Sequence, residues 1–275
     1  MYIHATSKLI NSNTPITHYR TLLKSLSDIN LRRSCKFNVL AVYGALMCCK
    51  EITLSSNTGI YVATEYGSVL ELDNILNSSS EETPMIMPFD FLNINTNNVG
   101  FYVSKALQAS GKNMVLTAKN CSGEKALQLA KFDLDIKEVE DVLIGGIDES
   151  VSSIENANLY IDNILNQESK DGSCWIYANR HKENAIAHID EINEYANLQN
   201  LEKEMFCNAH ITLNQFATQD EALKDLLKEN TLMQLDSFYG TEGILKVIEL
   251  LNYKGKLIHI AKDNQGKYMV IKLSK

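Results

Sequence analysis

The chain has 275 residues, enough for one large domain or two smaller ones sharing a core. Hydrophobic residues make up 45% and charged residues 22%, the balance of an ordinary globular protein. Lys and Arg number 26 against 34 Asp and Glu, so the net charge is −8, and the absence of a long basic run excludes a footprint for a nucleic-acid backbone. A local basic patch could still dock an acidic protein. The N-terminus shows no basic region followed by an apolar stretch, so no secretory signal is expected. The longest apolar run, 39–49, falls well short of the roughly 20 residues that a membrane span needs. Six cysteines at 35, 48, 49, 121, 174 and 207 form no CxxC pair and no zinc-like spacing. The expectation is a reduced cytoplasmic protein without metal or cofactor.

Short β-branched runs alternate with helix-period stretches along the chain. Helices are predicted at 35–51, 98–110, 123–132 and 153–166, and buried strands at 60–63, 113–117 and 141–146. Loops rich in Ser, Asn and Asp fall at 77–82 and 166–172. Beyond them come a strand at 174–178, a helix-like stretch at 182–195, helices at 219–228 and 241–251, and strands at 256–261 and 267–273. Residues 263–266, Asp-Asn-Gln-Gly, carry a hairpin turn signature between the last two. This alternation indicates an α/β protein with a largely parallel sheet. Both halves hold strand–helix–strand material, which permits an internal duplication without showing one.

Several ordered segments resemble the β-ketoacyl synthases of the thiolase fold. Arg32-Arg33-Ser34-Cys35-Lys36-Phe37 is similar to the family's early "RR-x-S-x-F/L" helix start. Residues 58–68 resemble its "vGvvvGTxxGs" strand and turn, and Pro88 to Asn98 its "P-x-x-F-x-x-s-x-x-N" stretch. Val142-Leu143-Ile144-Gly145-Gly146-Ile147-Asp148-Glu149 is close to "vlvGGvDe". The match covers roughly 1–150 and implies the layered αβαβα thiolase arrangement. Residues 1–160 would form the N-terminal half and 161–275 a shortened C-terminal half of one compact unit.

The family holds its acyl chain on a cysteine at a helix N-terminus, written Cys-x-Ser-Gly, where the helix dipole favours the thiolate. Anchored on Gly123, that place falls on Asn120, and an amide cannot form a thioester. Cys121 follows one residue later, and on a helical turn one residue rotates a side chain by about 100°. Two readings are open here. Either Asn120 replaces the nucleophile and nothing is condensed, or the turn is re-registered and Cys121 works; the plain alternative to both is a buried thiol in an unrelated α/β protein. The family also needs two histidines to stabilise charge on the thioester and enolate oxygens. Residues 236–245 resemble its "GH-x-x-GA-x-G" turn, with Ser237 at the histidine's place. Asn208-Ala209-His210-Ile211-Thr212 is similar to the start of "NAHGTGT" without its glycines, leaving His210 as a candidate vestige. His4, His18, His181, His188 and His259 show no metal or triad spacing and are assigned surface or packing roles.

A ketosynthase fold without its nucleophile resembles the chain-length factor, the β subunit of type II polyketide and aryl-polyene ketosynthases. The resemblance implies a heterodimer with an active ketosynthase α subunit, visited by an acyl carrier protein, in which this chain shapes the tunnel for a growing polyketide chain. Met114, Val115 and Leu116 on the strand before the elbow, with Met85, Met87, Phe89 and Phe91, are then interface or tunnel candidates; plain core packing is the alternative. Two other functions stay open: a small standalone ketosynthase or thiolase using Cys121, and a homodimeric thiolase-fold protein that binds an acyl chain without condensing it.

Overall fold

A computed structural model describes residues 1–80, 86–157, 168–233 and 240–275. Ten strands lie side by side in the order β3-β2-β4-β5-β1-β6-β10-β9-β7-β8. The first five in the chain are β1 (Tyr2–Asn11), β2 (Thr58–Ala63), β3 (Asn113–Leu116), β4 (Asp141–Asp148) and β5 (Asp171–Asn179). The second five are β6 (Ala187–Tyr195), β7 (Ala209–Leu213), β8 (Thr231–Met233), β9 (Lys256–Lys262) and β10 (Tyr268–Ser274). In the first set β2 runs parallel to β3 and β4, while β5 is antiparallel to β4 and β1. The second set repeats this strand for strand: β7 is parallel to β8 and β9, and β10 is antiparallel to β9 and β6. The duplication that the sequence only permitted is therefore present in the topology. The two half-sheets meet where Tyr2 and Ile3 pair with His188 and Ala187. Because β5 pairs with β4 and β1, the first repeat extends through Asn179, some way past the expected division at residue 160.

Helices fill three layers around these half-sheets. Helices α1 (Ile16–Lys24), α2 (Lys36–Cys48) and α5 (Asn98–Leu107) cover the outer face of the first, where Phe37, Leu40 and Val103 pack with Val62, Leu143 and Trp175. Apolar residues surround α2 on all sides, as a fully buried helix requires. Helices α6 (Ser122–Asp135) and α9 (Gly243–Leu250) share one core cluster with both half-sheets, from Ile144 and Ile176 to Leu257 and Ile271. Two short helices, α7 (Gln215–Thr218) and α8 (Glu221–Leu227), join Phe206 over Ile211, Ile258 and Val270 on the outer face of the second half-sheet. The layers run α-β-α-β-α, as in the thiolase fold. Two further helices, α3 (Val69–Ser79) and α4 (Pro88–Ile94), bury none of their side chains fully.

Two elements differ from the sequence expectation. The predicted helix at 182–195 is instead strand β6, which pairs with β10 and β1. Asp190 bulges out of the β10 pairing, so that Ile189 stands opposite Leu273 and Ile192 opposite Ile271. The bulge brings two apolar residues three apart onto one face, and in the sequence that spacing looks helical. The first ten residues, left unassigned, form β1 between the two half-sheets. Most of the helix expected at 153–166 lies outside the described residues.

Candidate functional site

β3 leads through a tight turn into α6. Backbone bonds from Cys121 N to Ala118 O and from Ser122 N to Lys119 O close this turn, with Lys119 held at φ 51°. The Ser122 hydroxyl accepts from Ala118 N at 2.8 Å and donates to Lys119 O at 2.6 Å, locking the helix start. A non-glycine residue in the left-handed region costs on the order of 1 kcal/mol, and here the double anchor of Ser122 sustains it.

Asn120 stands at the helix N-terminus and is only 7% exposed. Its Nδ2 donates to Lys262 O at 2.7 Å, at the end of β9, and its Oδ1 has no partner among the described residues. Asn214, at the carboxyl end of β7, clasps the same residue: its Oδ1 accepts from Lys262 N and its Nδ2 donates to Lys262 O, both at 3.0 Å. The Lys262 ammonium pairs with Asp220 at 2.7 Å, and the Tyr268 hydroxyl donates to the same carboxylate. The elbow of the first repeat is thus tied by an amide to the hairpin of the second.

Cys121 is buried against Ala261 and Met269, with Ile192 beside them. Burial pushes its thiol well above the usual range, and the neighbouring Glu124 carboxylate raises it further. A working nucleophile needs an accessible thiolate held by positive charge. Cys121 has the opposite surroundings. His210 lies near the start of β7 with its ring 4.7 Å from that of Tyr253. It is four residues before Asn214, about 13 Å along a strand, and the fold does not bring it to Asn120. Ser237 and Met85 lie outside the described residues.

A second polar group beneath the elbow has no counterpart in the sequence expectations. Glu124 and His259 are fully buried; His259 Nε2 donates to Glu124 Oε1 at 2.8 Å, and its Nδ1 lies 3.0 Å from the Thr212 hydroxyl. Glu242 accepts from Gln215 N at 3.2 Å and lies 3.5 Å from the Lys246 ammonium. Burial raises the Glu242 carboxyl despite this neighbour. The packing role assigned to His259 therefore takes a specific form, a link between α6 and β9. No spacing in the chain could reveal it, because its two members stand 135 residues apart. The "DE" that ends β4 is also structural. Asp148 accepts from the Thr64 hydroxyl at 2.6 Å and from the backbone N–H groups of Glu65 and Tyr66, and Glu149 accepts from Leu70 N at 3.1 Å. Both order the turn after β2.

On the surface, β3 is a terminal strand whose Met114, Val115 and Leu116 are half-buried. Met87, Phe89 and Phe91 are exposed by 53%, 42% and 57%, which removes them from the core. The Arg33 guanidinium lies 4.5 Å over the Phe89 ring. Leu72, Leu76, Leu92 and Phe101 add to the apolar surface of α3, α4 and α5. Among the described residues, no group of His, Cys, Asp and Glu could hold a metal ion. No helix among them is long and apolar enough to cross a membrane.

No family model matches the chain, and no curated protein resembles it in sequence. Solved structures of ketosynthases and chain length factors share its fold. It superposes on the ishigamide ketosynthase/chain length factor with a TM-score of 0.73 and 11% identity, over 99% of this chain and 98% of that one. A type II PKS ketosynthase, in complex with its acyl-carrier protein and bound to the hexaketide, gives a TM-score of 0.76 and 14% identity over 99% and 98%. A ketosynthase in complex with its chain length factor from Xenorhabdus doucetiae gives 0.60 and 10% over the full length of both.

Proposed function

We propose that this chain is a non-catalytic chain-length-factor subunit. It pairs with an active ketosynthase through β3 and the exposed faces of α3 to α5, and it supplies part of the wall along which a polyketide chain grows. The observation that carries this reading is Asn120, an amide where the ketosynthase resemblance requires a thiol, fixed to Lys262 O and flanked by a buried, acid-neighboured Cys121. Beside the elbow the second repeat presents Asn214, Lys262 and Asp220, and its nearby imidazole, His259, is fully buried and bonded to Glu124. Subunits that shape a tunnel need apolar surface and no nucleophile, which agrees with Met114, Val115, Leu116, Met87, Phe89 and Phe91 as interface or tunnel residues. An acidic carrier protein would meet its complement at Arg20, Lys24 and Arg32, which line a groove of about 560 Å³ with Asp28 as the one acid among its lining residues.

The test is the native mass of this chain, alone and co-expressed with the ketosynthase encoded beside it, followed by a condensation assay of each species. A one-to-one complex that condenses, while this chain alone does not, is the expected result. A self-sufficient homodimer that ignores the ketosynthase, or condensation by this chain alone, overturns the reading.

A further inference from the structure

The carboxyl end of β4 holds both walls of a groove. Val69, Leu72 and Leu76 of α3 line one wall, Ile154 and Ala157 the other, and the space between them is about 720 Å³. Sites for organic ligands usually measure roughly 300–1,000 Å³. None of the described lining residues is basic, so the groove gives an acidic carrier protein no complement and suits an apolar chain.

The wall at 153–157 is fixed from behind. Ser150 N donates to Asp171 Oδ1 at 2.8 Å, the Ser150 hydroxyl donates to Ser169 O at 2.8 Å, and Val151 N donates to Ser169 Oγ at 3.1 Å. Asp171 is fully buried and pairs with the Lys36 ammonium at 2.7 Å. The start of the other wall is capped from β4. A helix leaves its first N–H groups without partners of its own. Ser68 stands at the N-cap of α3, but its buried hydroxyl has no partner among the described residues. Leu70 N, in the first turn, donates instead to Glu149 Oε1 at 3.1 Å, from a residue 79 positions away in the chain. Because α3 buries none of its side chains fully, core packing fixes it little and this cap matters more. Burial pushes the Glu149 carboxyl up to about 8, so at neutral pH the cap is an uncharged acid, which an amide of the same length copies.

We propose that Glu149 is a positioning residue: by capping α3 from the end of β4, it sets the gap between α3 and residues 153–157, and with it the length of acyl chain that the groove admits. The inference rests on the chain-length-factor reading for the groove's occupant. It names a buried residue outside the groove's lining as a determinant of the product.

Three variants test the reach of this side chain. Glu149→Gln keeps its length and its acceptor. Glu149→Asp shortens it by one carbon–carbon bond, about 1.5 Å, so that keeping the bond to Leu70 N draws α3 toward β4 and narrows the groove. Glu149→Ala removes the cap. Each full chain is co-expressed with the ketosynthase encoded beside it. Two quantities are read from the complex: amide exchange across the first turn of α3, and the lengths of the chains made with the acyl carrier protein. E149Q should match the wild type in both. E149D should move the products to shorter chains. E149A should speed exchange at Leu70 by about three- to tenfold, the loss of one hydrogen bond, and spread the products over more lengths. Wild-type products from condensing E149A and E149D complexes overturn the inference and leave the chain-length-factor reading standing. Unchanged exchange at Leu70 in E149A overturns it as well. Should E149A not fold, E149D against E149Q decides: shorter chains from the first alone support the inference, and identical products from both overturn it. A wild-type complex that condenses nothing overturns the chain-length-factor reading, and the inference falls with it.

Discussion

At the scale of single residues, the first repeat carries carboxylates that no positive charge accounts for, and Glu149 shows the consequence. Burial pushes its carboxyl up to about 8, and neither the hydrogen bond from Leu70 N nor the nearby Lys36 offsets that. Its second oxygen has no partner among the described residues. In the unfolded chain the group titrates near its ordinary value of about 4.3. Between those values the folded form keeps a proton that the unfolded form releases. Stability at this site is therefore full at low pH and falls as pH rises from about 4 to about 8. Glu149→Gln keeps the acceptor for Leu70 N and cannot ionise. The variant should exceed the wild type by roughly 2–4 kcal/mol at pH 8, and the difference should vanish near pH 4. Urea midpoints at the two pH values measure it, and equal gains at both would show that ionisation is not the cause. Asn120 shows a different economy. It satisfies its donor on Lys262 O while leaving a buried acceptor without a partner among the described residues, a cost of about 1–3 kcal/mol.

At the scale of elements, the junction of α6 and α9 decides how closely the repeats approach. A Cβ on Gly243 would stand 2.3 Å from Glu124 Oε1, the oxygen that His259 holds. Glu124 lies over the N-terminus of α9, where the helix dipole favours a carboxylate. Gly243→Ala must displace either the carboxylate or the helix, and it should destabilise by roughly 1–3 kcal/mol without changing the urea slope. An unchanged midpoint would mean that the carboxylate moves freely and that the contact does not fix the junction. Much of this architecture was legible in the chain. The strands at β2, β3 and β4 and the helices α2, α5 and α6 follow from apolar runs and periodicity, and the elbow followed from the order of Asn120, Ser122 and Gly123. Illegible parts share a cause. Strand β6 hides its alternation behind the Asp190 bulge. Likewise, Glu124–His259 and Asn120–Lys262 are pairings between repeats, set by a duplication with no repeated sequence. Local rules see one repeat at a time.

At the scale of the molecule, the question is whether the two repeats can fold apart. Cutting between β5 and β6 would uncover the first half-sheet's inner face, with Ile3, Val142, Ile144 and Ile176, because these share their cluster with α9, Leu257 and Ile271 of the second repeat. An exposed apolar surface of that kind is not tolerated by an isolated soluble domain. The outer layers differ: Trp175 packs with Phe37 and Leu143 in a cluster made only of first-repeat residues, while Ile211, Ile258 and Val270 form one in the second. If each outer cluster stabilised its own repeat, unfolding would proceed in two steps. The shared middle layer argues for one. Trp175 is the sole tryptophan and is fully buried, so its fluorescence reports the first repeat, whereas far-UV circular dichroism reports both. The two signals should fall together along a single urea transition. A tryptophan transition displaced from the circular dichroism transition would show that α6 and α9 bind preformed halves together, and it would make the pairing of α6 with α9 an assembly step instead of a folding one.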